Sequence, residues 1–188
     1  MSVETLETLT GDYTIDTAHS RLGFAARHAM VTKVRGQFNE FEGIAHLDFA
    51  DPTKSTAEVT IKSDSVDTRN EQRNAHLRTN DFFDAPNYPE ITFRSTSVER
   101  VDDDRYKLTG DLTIKGTTKP VSIEFEFTGT AVDPFGNVRV GFEGSTTINR
   151  RDWKVEWNAP LEAGGVLVSD KVTLEIEVSA IKAAKPEA

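Results

Sequence analysis

Along most of this chain apolar and polar residues alternate with a period of two, and that pattern constrains the fold more than any other feature. In "YKLTGDLTI", Tyr106, Leu108, Leu112 and Ile114 share one face with Gly110, while Lys107, Thr109, Asp111 and Thr113 take the other. A strand turns successive side chains to opposite faces, so each such segment has one dry side and one wet side. After "KGTTKP" the pattern resumes with Val121, Ile123, Phe125 and Phe127 against Ser122, Glu124 and Glu126, which reads as a hairpin. Val138, Val140, Phe142 and Ile148 continue it, and Val172, Leu174, Ile176 and Val178 complete it.

The candidate strands are Leu22–Met30, Val34–Phe49, Ala57–Ser63, Glu90–Val98, 105–115, 120–132, 137–150 and 171–181. Gly36 and Gly43 fall inside the second, where glycine marks a bulge or sharp bend. Eight antiparallel strands with one dry face predict an all-β fold, an up-and-down barrel whose closure removes exposed edges. A sandwich is the alternative architecture.

Alternation stops at 64–89. Thr68 followed by Glu71 fits a capping box, predicting a helix from Arg69 to about Arg78 that Pro86 and Pro89 prevent from continuing. Such an insertion reads as a lid or binding loop, or as a corner plug. Within it, "HLRTNDFFD" sets Phe82 beside Phe83, one ring to anchor the segment and the other to face a cavity. Residues 1–10 and 183–188 read as frayed tails around a single domain at 11–182.

With 31 acidic against 22 basic side chains and a net charge of -9, the chain repels phosphate backbones, so no nucleic-acid partner is expected. No apolar run approaches the roughly 20 residues of a membrane span. The start, "MSVETLETLTGDYT", has no apolar core, so a cytoplasmic location is expected, or a periplasmic or secreted one if a leader was removed. Nucleophile elbows, zinc-protease motifs, phosphate loops and dinucleotide fingerprints are missing. The four histidines, at 19, 28, 46 and 76, lack ligand spacing, and neither a metal nor a cofactor is expected.

The interior carries the functional signal. Parity places Phe24, His28, Phe93, Leu112, Phe125, Phe142 and Ile148 on the dry face, with room left by Ala26, Gly110 and Gly144. His76, Leu77, Phe82 and Phe83 of the insertion complete the candidate lining. His28 reads as a hydrogen-bonded core residue or a ligand contact. Arg150, at a strand end on the same face, needs a partner: Asp152, a carboxylate of the insertion, or the anionic head of a ligand. Strands of about 10 residues rise roughly 34 Å before tilt, a depth that suits a long, narrow, apolar guest.

"YTIDTAHSRLGFAARH", "GQFNEFEG", "HLRTNDFFD", "YPEITFRS", "LTGDLTIKGTTKPV" and "GFEGSTTINRRDW" occur in an order and spacing that resemble the YceI-like, polyisoprenoid-binding family. The resemblance implies a lipocalin-like barrel that binds, stores or transports an isoprenoid lipid such as a polyprenyl phosphate or isoprenoid quinone, without catalytic residues. One departure is Lys154, near the place where relatives often carry glycine. An enzyme using His28 and the insertion's carboxylates on an apolar substrate is the competing class, and a module with a filled core is a third. A homodimer is compatible with the composition.

Overall fold

The computed structural model describes residues 3–162 and 164–183, with side chains from residue 5 onward. Alternation is expressed as β1 (Gly11–Ile15), β2 (Arg21–His28), β3 (Thr32–Phe38), β4 (Phe41–Leu47), β5 (Thr56–Lys62) and β6 (Val66–Asp67). The second half supplies β7 (Glu90–Arg100), β8 (Arg105–Ile114), β9 (Thr117–Val132), β10 (Val138–Asn149) and β11 (Val168–Lys182).

These segments make a closed, antiparallel, eight-stave barrel. β1 and β2 form one stave, interrupted by a 3-10 turn at Thr17–His19. β3 and β4 form the next, bent at Asn39 and Glu40, and the registers Leu22↔Phe38 and Thr14↔Ile44 carry the pairing across the bend. The expected strand Val34–Phe49 is this bent stave. β5, β7, β8, β9, β10 and β11 follow in order, and β11 returns to the first stave through Leu174↔Phe24 and Ile15↔Ala180. Sequence reading began that stave at Leu22 and did not include β1.

The two ends differ. At one, helix α1 (Val3–Leu9) sets Leu6 and Leu9 against Tyr13, Phe49, Val140 and Ala180. The Tyr13 hydroxyl donates to the Leu9 carbonyl at 2.6 Å, and the Lys182 ammonium donates to the Thr8 carbonyl. Of the segment expected as a frayed N-terminal tail, Val3–Leu9 is therefore a packed floor, because leucines three apart give one turn of helix an apolar side; residues 1–2 lie outside the described residues. Of the expected C-terminal tail, Ala183 donates its N–H to Asp12 O at 2.7 Å, and 184–188 lie outside the described residues.

At the other end sits the insertion. Short β6 pairs with β3, and helix α2 (Glu71–Leu77) follows. The cap differs from expectation: Asn70, not Thr68, accepts the Arg73 N–H at 3.0 Å. Arg69, at φ 62°, turns the chain first and moves the helix start. Thr68 instead donates its N–H and hydroxyl to Asn74 Oδ1 at 2.7 and 2.6 Å and accepts from Arg73 Nε at 2.8 Å. Asn74 and Thr68 are both buried, so these bonds tie α2 to the barrel rim.

Candidate functional site: an apolar tube through the barrel

The inward faces of the staves enclose a cavity of about 840 Å³. Its wall is almost wholly aliphatic and aromatic, and all twelve residues singled out from the sequence border it. Phe24, Phe93, Phe125 and Phe142 project from β2, β7, β9 and β10. Leu112 of β8 and Ile148 of β10 lie toward the insertion, in or against the apolar cluster formed there with Trp153 and Val155.

Phenylalanine and glycine face each other across the strands. Phe24 lies opposite Gly36 and Phe125 opposite Gly144. A Cβ at Gly36 would overlap the Phe24 ring, and Gly110 stands in the same relation to Phe93. Gly110 and Gly144, which the sequence marks as open space, and Gly36, which it marks as a bulge or bend, are thus seats: each lets a ring lie back along the wall, which keeps the lumen free.

The adjacent phenylalanines diverge. Phe82 is buried against His76 and Trp157, with ring centroids at 5.1 and 5.5 Å. Phe83 turns the other way, to Phe38 at 5.5 Å and Phe24 at 6.5 Å, where it covers the tube beside Leu77. His76 Nε2 stands 2.8 Å from Asp81 Oδ2, and its ring meets Trp157 edge-on at 4.7 Å. Sequence reading missed Trp153 and Trp157, which stand in a segment without period-two alternation. Trp153 donates Nε1–H to the Leu112 carbonyl at 2.8 Å and so pins the 3-10 turn Arg150–Trp153 onto the barrel.

Two polar expectations change. His28 was expected inside the barrel; it is exposed at the rim, because β2 ends there and its side chain overhangs the mouth. Arg150 is 6% exposed, and neither Asp152 nor the insertion neutralises it. Its guanidinium donates to Ser169 O at 2.9 Å, Val155 O at 2.7 Å and Val168 O at 3.3 Å, with Asp170 at 3.7 Å. Burial pushes its pKa down, offset by Asp170. With three of its five N–H donors on carbonyls, Arg150 joins the 155–169 segment to the end of β10.

Lys154 adopts φ 61° and ψ 24° at the end of that 3-10 turn. This is the left-handed conformation that glycine takes most easily, and it gives the departure at this position a structural meaning.

Three of the insertion's carboxylates, grouped with His28 in the enzymatic reading, are engaged elsewhere. Asp67 accepts from the Arg69 N–H and from Asn74, Asp81 faces His76, and Asp84 accepts from Asn87. Around the mouth the lining becomes polar through Arg27, His28, Asn70, Gln72 and Arg73.

A closed eight-stranded antiparallel barrel around a deep apolar tube defines a lipocalin-like architecture. The chain belongs to the YceI-like family, whose domain model matches residues 13–180. A UPF0312 protein of Staphylococcus aureus is 38% identical over 165 residues, 87% of this chain and 94% of that one. Another, from Vibrio parahaemolyticus, is 38% identical over 146 residues, 77% of each chain. Among solved structures, the Campylobacter jejuni YCEI protein superposes with a TM-score of 0.73 at 33% identity, covering 84% of this chain and 90% of that one. A polyisoprenoid binding domain from Saccharophagus degradans shares the fold, with a TM-score of 0.66 at 15% identity over 91% of this chain and 98% of that one.

Proposed function

We propose that this barrel binds a long isoprenoid lipid for storage or transport, with the apolar chain in the tube and the polar head at the mouth. The observation that carries this reading is the tube itself: about 840 Å³, against roughly 300–1,000 Å³ for small-molecule sites, with an apolar wall. The polyisoprenoid-binding relative supports the same ligand class.

Magnitudes favour a long chain. Burying one CH₂ contributes about 0.8 kcal/mol, so a five-carbon unit contributes roughly 4 kcal/mol. Association opposes this with about 4–15 kcal/mol, so several units are needed before net affinity appears. Arg27, Asn70 and Gln72 border the mouth and would meet a phosphate or a quinone carbonyl. Arg73, which donates to the Thr68 hydroxyl and carbonyl, is left out. Arg150, occupied by backbone carbonyls, is assigned no head-group role.

Delipidated protein titrated with a long-chain isoprenoid quinone and with a polyprenyl phosphate should bind at least one of them saturably. Phe83→Ala should weaken that binding while leaving the melting temperature nearly unchanged. Phe82→Ala, in the packed cluster, should destabilise the fold by about 3–5 kcal/mol. Failure to bind either ligand, together with recovery of no apolar molecule from protein purified from its native host, overturns the reading.

A further inference from the structure

The β2–β3 hairpin, "RHAMVTK", carries its apolar residues outward at the mouth. Met30 is 62% and Val31 75% exposed. The turn is closed by the Val31 N–H on the His28 carbonyl at 3.1 Å, with Ala29 and Met30 at φ 52° and 61°. Two left-handed residues in succession normally select Asn-Gly, so Ala29 and Met30 hold this turn at a cost in backbone strain. Beside the hairpin run residues 158–162 and 164–168: the Ala29 N–H donates to Leu167 O at 2.7 Å, and the exposed Val166 is held by a bridge to Pro160.

Cations frame this apolar tip. Arg27 and Lys33 lie directly opposite each other in the ladder, an arrangement that costs stability because like charges repel. Both are exposed, and among the described residues neither forms an ion pair. Asp170, the nearby acid on β11, is taken by Arg151 at 2.7 Å. The opposite end of the barrel also exposes apolar tips, at Val101, Val132 and Phe135, but sets them beside Asp102, Asp103, Asp104 and Asp133. A molecule of net charge -9 is repelled by an anionic surface in most orientations. Arg100 and Arg105 flank Val101 at the opposite end, but four acids surround them, whereas the hairpin end sets two unpaired cations against one exposed acid, Glu162.

We propose that the mouth docks on an anionic lipid bilayer, with Met30, Val31 and Val166 at head-group depth and Arg27 and Lys33 on lipid phosphates. Apolar insertion combined with basic attraction is the chemistry of reversible interfacial binding. Given the lipid-binding reading above, docking sets the opening of the tube against the bilayer, so an apolar chain crosses without traversing water.

The test uses delipidated full-length protein and sedimentation with vesicles of phosphatidylcholine, with or without phosphatidylglycerol. Binding is expected only to the anionic vesicles and is expected to weaken with added salt. Met30→Asp combined with Val31→Asp, and separately Arg27→Glu combined with Lys33→Glu, should each weaken partitioning by about tenfold or more. Phe135→Asp, at the far end, should leave it unchanged, and circular dichroism checks that each variant folds. No binding of the wild type to anionic vesicles overturns the proposal, as does equal loss with Phe135→Asp. Ligand titration in detergent micelles, run in parallel, reports on the lipid-binding reading alone, so the two can fail independently.

Discussion

Lys154 holds a left-handed backbone that costs an ordinary side chain roughly 1–2 kcal/mol. Glycine would remove that cost but add about 0.4–1 kcal/mol of chain entropy to the unfolded state. The first term is the larger, so Lys154→Gly should raise stability by about 0.5–1 kcal/mol, read as an upward shift in the denaturation midpoint. A decrease would mean that the side chain makes a compensating contact. At this scale parity was a good guide where strands are long and a poor one where they end. Phe24 and Phe93 face the tube as alternation requires, whereas His28, on the correct face, overhangs the rim because its strand stops there. The guanidinium of Arg150 was rightly read as needing partners. That the partners are backbone carbonyls from 155–169 could not be read from side-chain types, since every residue carries a carbonyl.

Among the elements, the hairpin joining β9 and β10 is tied to the β1–β2 stave through Arg139. Its guanidinium donates Nε–H to Asp133 at 2.8 Å and Nη1–H to Asp16 at 2.7 Å. Burial alone would raise the Asp133 pKa, but N–H donors from Asn137, Arg139 and Phe135 bring it from 3.8 down to about 2. Asp16 is lowered as well, chiefly by Arg139. Both carboxylates are therefore more acidic folded than unfolded. The stability they contribute is fully present above the unfolded value of 3.8 and is lost as pH falls toward about 2. Thermal melts across that window should show a fall in melting temperature that is shallower in Arg139→Gln. Identical slopes would remove the clasp from the acid response.

Element identity was legible where alternation runs long, as in β8 to β11. The two helices were harder. α1 has seven residues, too few to hold a helix by propensity, so it exists through the packing of Leu6 and Leu9 on the barrel floor. In α2 the capping signal was present but displaced, because Thr68 serves the bonds to Asn74 and Arg73 instead.

For the molecule as a whole, order of synthesis follows from how the barrel is closed. β11 is the final stave, and it pairs with β10 on one side and the first stave on the other. Ser20 and Ser179, bonded across that seam, are 159 positions apart. A chain ending at residue 167 should remain sensitive to protease under conditions that spare the full protein, with resistance arguing that a seven-stave sheet closes by itself. At about 5–20 residues per second, a nascent chain spends many seconds with its sheet open, since the strand that seals both edges is the last of the eight staves to be made. Contacts of such long range also fold slowly. The interval before sealing is when the tube's apolar wall is most open to whatever apolar partner lies near, whether a chaperone, another chain or the lipid itself.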